Sequence, residues 1–344
     1  MANNHRIHVV LASDDNYFEG LLVTTVSIAQ SCSRPNEITF HIMDGGISEE
    51  RYAYLQDKTT PFGCELSRIM IRQNTIEDYK AYHGSKMTYA RLLLPDLLPD
   101  VDCAIYSDVD ILWHADAAEL WDGLSPEAIL HYVPPHPSSF TKIGETELNW
   151  FIANGFTPLC ERYFNAGLIV MNLAKFRSEG LGRKMSALLK KHLGNVPQND
   201  QTVLNAFMFG RHDVCPLKHK WNIGTGNTAA VPDDLSFVLH FAGDTPWKSI
   251  HANHHMLTDS ILLWHKTHAR IRGMTVWQSL RQCNSPIDII AGRILFLSTK
   301  VGIVRLLIRA YLRLRGRENG IPCINGFMAR SNLKKLLHTA RHAI

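Results

Sequence analysis

The stretch AIYSDVDILW, residues 104–113, sets two acids, Asp108 and Asp110, one residue apart at the end of an apolar run. Side chains at i and i+2 of an extended segment point the same way, so both carboxylates can face one cation or one phosphate-bearing ligand. Bringing them together is costly, because like charges repel and burial penalises each. No Lys or Arg lies near the pair in sequence to neutralise it; a divalent cation would. Hard oxygen donors suit Mg²⁺ or Mn²⁺, and one added imidazole tilts the choice towards Mn²⁺. His240, within FVLHF, is the best placed of the 18 histidines. On these residues alone, Asp-x-Asp equally fits loop capping or an ordinary ion pair.

The elements that must carry these groups can be read from periodicity. RIHVVLAS is a short β-rich run that stops at SDDN, and YFEGLLVTTVSIAQS has apolar residues at helical spacing, which predicts strand, polar loop, helix. EITFHIMDGGIS repeats the theme, SEERYAYLQ reads as a capped helix start, CELSRIMI as a third strand, and MTYARLLLPDLLP as a short helix stopped by its prolines. The strand ending in Asp108 and Asp110 follows. Alternating strands and helices predict an open, largely parallel α/β sheet whose ligands sit beyond the carboxyl ends of its strands. GxGxxG and GxxxxGK[ST] are both absent, so neither the dinucleotide fingerprint nor the P-loop accounts for the polar strand ends. From Pro134 to Asn154 the chain reads as an irregular loop or lid. YFNAGLIVMNL returns to strand and FRSEGLGRKMSALLKKHL to helix, QNDQTVLNAFMFG opens a helix with Asp200 and Gln201 in its first turn, and SFVLHFAGDTPW is a strand running into a turn.

With 344 residues, 45% of them hydrophobic, the chain can bury a full core. The seven cysteines form no C-x-x-C pair, which argues against a disulfide framework or zinc knuckle and predicts buried free thiols. MANNHRIHVVLAS lacks signal-peptide character, and no run reaches the ~18 apolar residues of a spanning helix; the expected location is the cytoplasm. Charge is uneven. From Lys266 onward there are 15 Lys and Arg against Asp288 and Glu318, whereas the first 265 residues hold 21 basic and 30 acidic residues. The expected division is a larger domain over 1–260 and a basic, largely helical region over 261–344.

Six separated blocks resemble, in order, the retaining galactosyl- and glucosyltransferases of glycosyltransferase family 8, which include bacterial lipopolysaccharide and lipooligosaccharide enzymes and glycogenin relatives. The blocks are VVLASDDNY, FHIMDGGIS, TYARLLLPDLLP, AIYSDVDILW, YFNAGLIVMNL with QNDQTVLN, and HFAG followed by PW. The resemblance implies an α/β fold of GT-A type, a Rossmann-like mixed, mainly parallel sheet flanked by helices. It also implies that Ala12, Asp14, Asn16 and Tyr17 hold uridine, with Tyr17 stacked on the base. Arg91 would meet the diphosphate or the Asp-x-Asp strand, and Asp108, Val109 and Asp110 with His240 would hold Mn²⁺ and the phosphates of UDP-galactose or UDP-glucose. Asn165, Ala166 and Asp200 would contact the donor sugar. Gln201 would lie beside the anomeric carbon on the face opposite UDP, where a carboxamide is a poor nucleophile. The expected mechanism is therefore same-face attack on an oxocarbenium-like species. Gly243 belongs to the HxxG block, and His83 aligns with an acceptor-side histidine. The family commonly has a lysine just before PW; here the order is HFAGDTPWKS, so either Lys248 reaches back to the phosphates, the favoured expectation, or Asp244 and Thr245 have replaced that contact.

GRILFLSTKVGIVRLLIRAYLRLRGR places Arg305, Arg309 and Arg313 on one helical stripe, with Val304, Leu307, Tyr311 and Leu314 opposite. That pattern fits a helix lying on an anionic membrane surface, and equally a packed helix with a solvated basic face. Family members that modify lipid-linked glycans resemble this chain in having such tails, which favours a peripheral protein on the inner face of the cytoplasmic membrane. No nucleic-acid motif accompanies the charge. The expected acceptor is a surface glycan or lipid-linked saccharide. A glycogenin-like self-glycosylating primer and a non-catalytic binding protein on a degenerate transferase fold are the rivals.

Overall fold

The structure, a computed structural model, describes residues 6–71, 85–135, 143–225, 236–243, 245–249 and 256–300. The main sheet contains β1 (Ile7–Ser13), β2 (Ile38–Asp44), β3 (Glu65–Met70), β4 (Cys103–Ser107), β6 (Leu130–Tyr132), β7 (Leu168–Asn172) and β8 (Val214–Pro216). Their spatial order is β3-β2-β1-β4-β7-β6-β8. β1 pairs in parallel with both β2 and β4, and β2 with β3; β7 runs antiparallel to β4 and β6. The sheet is thus mixed and mainly parallel, flanked by helices. β2 is buried along its whole length and β1 nearly so, which is why their apolar residues run together without the alternation of a one-faced strand.

This order creates the functional crevice. From β1 the chain builds outward through β2 and β3, then returns to lay β4 on the other side of β1. β1 and β4 are thus neighbours at the point where the strand order reverses, and ligands of open α/β sheets bind beyond the carboxyl ends of the strands there. Asp14 follows β1 and Asp108 follows β4.

α1 (Phe18–Ser31) is buried on nearly every side, with Leu21, Leu22, Val23 and Ile28 fully covered; each such side chain contributes about 1.5–3 kcal/mol. Its small polar residues hold the segment after β4. The Thr24 hydroxyl donates to the Val109 and Ile111 carbonyls at 2.8 and 2.6 Å, and Ser27 Oγ accepts from Trp113 N at 3.1 Å. These contacts seat β5 (Ile111–Trp113), which leaves the main sheet and joins β9 (Ile223–Gly224) and β10 (Val238–His240) in a second sheet of order β5-β10-β9. Asp108 to Asp110 accordingly form a turn between two strands, where the sequence pattern predicts one continuous extended segment.

Other helices are α2 (Glu49–Thr59), α3 (Ala90–Leu97), α4 (Ala117–Asp122), α5 (Glu145–Ala153), α6 (Leu173–Ser178), α7 (Leu181–Lys191) and α8 (Asn199–Met208). Pro95 lies inside α3, so that helix outlasts its first proline. Gly180, at φ 63°, breaks the expected single helix into α6 and α7; this left-handed conformation favours glycine. Among the described residues the cysteines are free, but of these only Cys32 is buried and Cys160 is exposed, which corrects the expected set of buried thiols.

The described residues fall into two compact units. One runs to Gly224 and includes β10 up to His240; the other includes Thr225 and the chain from Phe241 onward. The second unit contains α9 (Asp259–Arg272), α10 (Val276–Arg281) and α11 (Pro286–Lys300). Thr275 and Gln278 close a capping box on α10, and the Ser279 hydroxyl lies 2.7 and 2.8 Å from Nδ1 of the buried His265 and His268. No helix among the described residues is long and apolar enough to cross a membrane. Residues 301–344, with the arginine stripe of the tail, and His83 lie outside the described residues.

Candidate active site

Beyond the ends of β1 and β4, the structure gathers Asp108, Asp110 and His240, one ligand atom from each lying within 4.8 Å of the others. Asp108 follows β4, Asp110 precedes β5, and His240 ends β10 in the antiparallel partner strand of β5, where it is paired with Ile111. The sheet register therefore places the imidazole beside the acids across a wide gap in sequence. His240 Nε2 is 3.2 Å from Asp110 Oδ1.

The polarity of this cluster follows from backbone donors, which cannot be reversed. Gly167 N–H donates to Asn165 Oδ1 at 2.9 Å, so the Asn165 amide oxygen is an acceptor. Asn222 Nδ2 donates to the same oxygen at 3.1 Å, which leaves Asn222 Oδ1 to accept from His240 Nδ1 at 3.0 Å. When the ring is neutral the lone pair of Nε2 therefore faces Asp110, and when it is protonated Nε2–H donates to Asp110. Burial lowers the basicity of His240, but the charges of Asp110 and Asp108 outweigh it and raise the pKa overall. Acceptor atoms converging from two carboxylates and an oriented imidazole fit a divalent cation.

Arg91 lies beneath the acids and is itself buried. Nη2 donates to Asp108 Oδ1 at 2.8 Å, Nε lies 2.8 Å from Asp200 Oδ2, and Nη1 donates to the Ala166 carbonyl. Of the two expected destinations for Arg91, the Asp-x-Asp turn is where it lies. The same Asp108 oxygen accepts from Tyr106 Oη at 3.0 Å. Burial raises the Asp108 pKa, Arg91 opposes that rise, and Asp110 adds to it. Asp200 is held by Thr88 Oγ1 at 2.8 Å, while Oδ2 has no hydrogen-bond donor among the described residues, the arginine Nε–H being directed to the Thr88 carbonyl.

Gln201 follows Asp200 on α8. Its Oε1 accepts from Asn165 Nδ2 at 3.0 Å and from Ala166 N at 3.1 Å, and its Nε2 donates to Tyr163 Oη at 2.7 Å. Asn199, two residues before it, has φ 50°, a left-handed conformation that asparagine tolerates better than most residues. At the end of β1, Asp14 caps its own turn, accepting from Asn16 N at 2.9 Å and from Ser85 Oγ at 2.7 Å. Ala12 is buried, and Asn16 is exposed. The Tyr17 phenol is pushed up to about 12 by burial, reinforced by Asp110 and Asp14, and is neutral at pH 7. Gly243 and Lys248 belong to the second unit, where Gly243 adopts φ 82° and Lys248 N–H donates to the Thr245 carbonyl at 2.8 Å.

Four residues of this arrangement escape the sequence reading. Thr88 and Tyr163 lie within recognised blocks, but Asn222 and Glu147 are single polar residues without periodic signal. Gly167 is a steric requirement: a Cβ there would stand 2.2 Å from His240 Cε1 and 2.8 Å from Nδ1.

The model of the family described as Glycosyl transferase family 8 matches residues 8–251. The chain belongs to that family and is a glycosyltransferase. General stress protein A of Bacillus subtilis is 25% identical over 230 residues, spanning 65% of this chain and 76% of that protein. A galacturonosyltransferase-like 6 protein of Arabidopsis thaliana is 26% identical over 275 residues, spanning 72% and 76%. The solved structure of the galactosyltransferase LgtC in complex with donor and acceptor sugar analogues superposes with a TM-score of 0.63 at 25% identity, covering 77% of this chain and 96% of that one.

Proposed function

We propose that this enzyme transfers galactose or glucose from a UDP-sugar, with retention and in α linkage, to a hydroxyl of a surface glycan such as lipopolysaccharide core. The observation that carries the reading is the convergence of Asp108, Asp110 and His240 beside Asp200 and Gln201, at the switch point between β1 and β4. Asp108, Asp110 and His240 are assigned to Mn²⁺, with Mg²⁺ the second candidate. Such an ion supplies neutralisation of the charge that develops on a departing diphosphate.

The remaining work falls to the chain's own groups. Ala12, Asp14, Asn16 and Tyr17 are assigned to the uridine, and Val109, between the two acids, to the donor. Asn165, Ala166 and Asp200 hold the sugar; Asp200 Oδ2, buried against Arg91 Nε at 2.8 Å, accepts no hydrogen bond among the described residues and keeps acceptor capacity for a donor hydroxyl. Orientation of this kind controls rate. Both acceptor positions of Gln201 Oε1 are already engaged by Asn165 and Ala166. That weakens it as a nucleophile and favours same-face attack, with Gln201 stabilising positive charge at the anomeric carbon. A covalent sugar isolated on Gln201 would overturn this. Gly243 and Lys248 are assigned to the diphosphate and His83 to the acceptor side.

The test is UDP release from UDP-galactose, UDP-glucose and UDP-galacturonate, with Mn²⁺, with Mg²⁺ and with excess EDTA. Metal-dependent turnover of one hexose donor supports the reading, and exclusive use of the uronate replaces the donor assignment. In Gly167→Ala the new Cβ displaces the His240 ring. Metal affinity measured by calorimetry is expected to fall roughly 10- to 100-fold.

Residues 1–260 are assigned to catalysis and 261–344 to the inner face of the cytoplasmic membrane. Supporting this, α11 exposes Ile287, Ile290, Ile294 and Leu297 at 75, 55, 63 and 46%, an apolar stripe at helical spacing that leads into the basic tail. Full-length protein is expected to sediment with phosphatidylglycerol vesicles at low salt and less at high salt. Ile290→Asp with Ile294→Asp should weaken that binding. Failure to bind at any salt concentration removes the membrane assignment.

A further inference from the structure

Behind Gln201 the hydrogen bonds continue away from the crevice. Tyr163 Oη, which accepts from Gln201 Nε2, donates to Glu147 Oε2 at 2.7 Å. The other carboxylate oxygen, Oε1, accepts from Thr202 Oγ1 at 2.5 Å. Tyr163 and Glu147 are 1 and 3% exposed, so this is a buried carboxylate served only by neutral hydroxyls. Burial raises the Glu147 pKa, and the hydrogen bonds from Thr202 and Tyr163 oppose that rise; the residue lies in the first turn of α5, where a helix N-terminus also favours negative charge.

The direction of every bond is determined. The Ala166 N–H makes Gln201 Oε1 an acceptor, so Nε2 must donate to the tyrosine oxygen. The single phenolic proton is then directed at Glu147. Hydrogen bonds aligned in one direction polarise one another, most strongly when the chain ends on an ion in a low-dielectric interior. The charge of Glu147 makes Tyr163 a stronger acceptor, draws the Gln201 amide proton towards it, and leaves the carboxamide oxygen more negative.

We propose that Glu147, acting through Tyr163, is a positioning residue for the transfer step: it fixes the orientation of the Gln201 carboxamide and increases negative charge on Oε1. This deepens the reading above and rests on it, since Gln201 must lie beside the transferred sugar for the polarisation to matter. Three buried polar groups that merely satisfy one another are the alternative. In that case their loss lowers stability and the fraction of folded enzyme, leaving turnover per folded molecule unchanged.

The experiment compares wild type, Tyr163→Phe, Glu147→Gln and Glu147→Leu, with UDP binding by calorimetry and steady-state UDP release, turnover being expressed per UDP-binding site. Tyr163→Phe and Glu147→Leu are expected to lower kcat roughly tenfold or more, with the donor KM and the UDP Kd nearly unchanged. Glu147→Gln keeps an oxygen that accepts from Tyr163 while removing the charge, and should recover part of that loss. Wild-type turnover per site in both Tyr163→Phe and Glu147→Gln overturns the inference while the transferase reading stands. A fall in turnover only in proportion to lost UDP sites does the same. If Tyr163→Phe does not fold, the contrast between Glu147→Gln and wild type decides. Absence of turnover in wild type, across all donors, removes the functional reading and this inference with it.

Discussion

Asp110→Ala is expected to lower metal-dependent turnover of the UDP-sugar by about 10²- to 10³-fold while the thermal midpoint in EDTA holds or rises. The two halves of this expectation share one physical cause. Asp110 raises the Asp108 pKa through like-charge repulsion, so its removal relieves a cost the folded chain carries. His240 loses a partner at Nε2 but keeps Asn222 at Nδ1, so the ring stays in place. The cation, in contrast, loses a ligand that cannot be replaced from Asp108, one of whose oxygens is already committed to Arg91 and Tyr106. Activity and stability therefore move apart, as expected where a site is held in an electrostatically unfavourable arrangement. UDP release with and without Mn²⁺ and a melting curve in EDTA check the two halves, and Mn²⁺ calorimetry checks the lost ligand directly. Undiminished metal-dependent turnover in the variant would remove Asp110 from the assigned ligand set.

What could be read from the sequence divides along a physical line. Strands β1 to β4 and the intervening helices announce themselves because burial imposes a periodicity on consecutive residues. The departure of β5 does not, since AIY and ILW are equally apolar and nothing local records that the second triplet belongs to another sheet. Asp108 and Asp110 stand out through their spacing, and His240 through its place at the end of an apolar run. That His240 meets them depends on the β5–β10 register, which no local pattern encodes. Arg91 was legible as a planar fork near a family block, but its choice of Asp108 and Asp200 is a fact of packing. Glu147 lies in the stretch read as an irregular lid. Its partners Tyr163 and Thr202 are 16 and 55 positions away, a separation that leaves no trace in composition or periodicity.

Arg91→Met is expected to destabilise the fold by about 3–5 kcal/mol, because it leaves the buried Asp200 and part-buried Asp108 carboxylates without their cation. The guanidinium reaches Asp108, Asp200, the Ala166 carbonyl and Thr88 at once, and its carbon lies 4.4 Å from the centre of the Tyr106 ring. It thereby joins α3 to the turn after β4, to the loop before β7 and to α8. Lysine offers a single ammonium in place of a fork and cannot span these partners, so Arg91→Lys should recover only a minor part of the loss. Melting of a folding unit of this size should shift down by on the order of 10 °C. The decisive variant is Arg91→Met combined with Asp200→Asn. If the penalty comes from uncompensated charge, removing one of the two carboxylates restores part of the stability, although both substitutions delete hydrogen bonds. The two changes are then non-additive in the stabilising direction. If the penalty comes from lost packing alone, the double variant is less stable than either single one. Restored stability in that variant should not restore turnover, since Asp200 is assigned to the donor sugar and an amide cannot provide its charge.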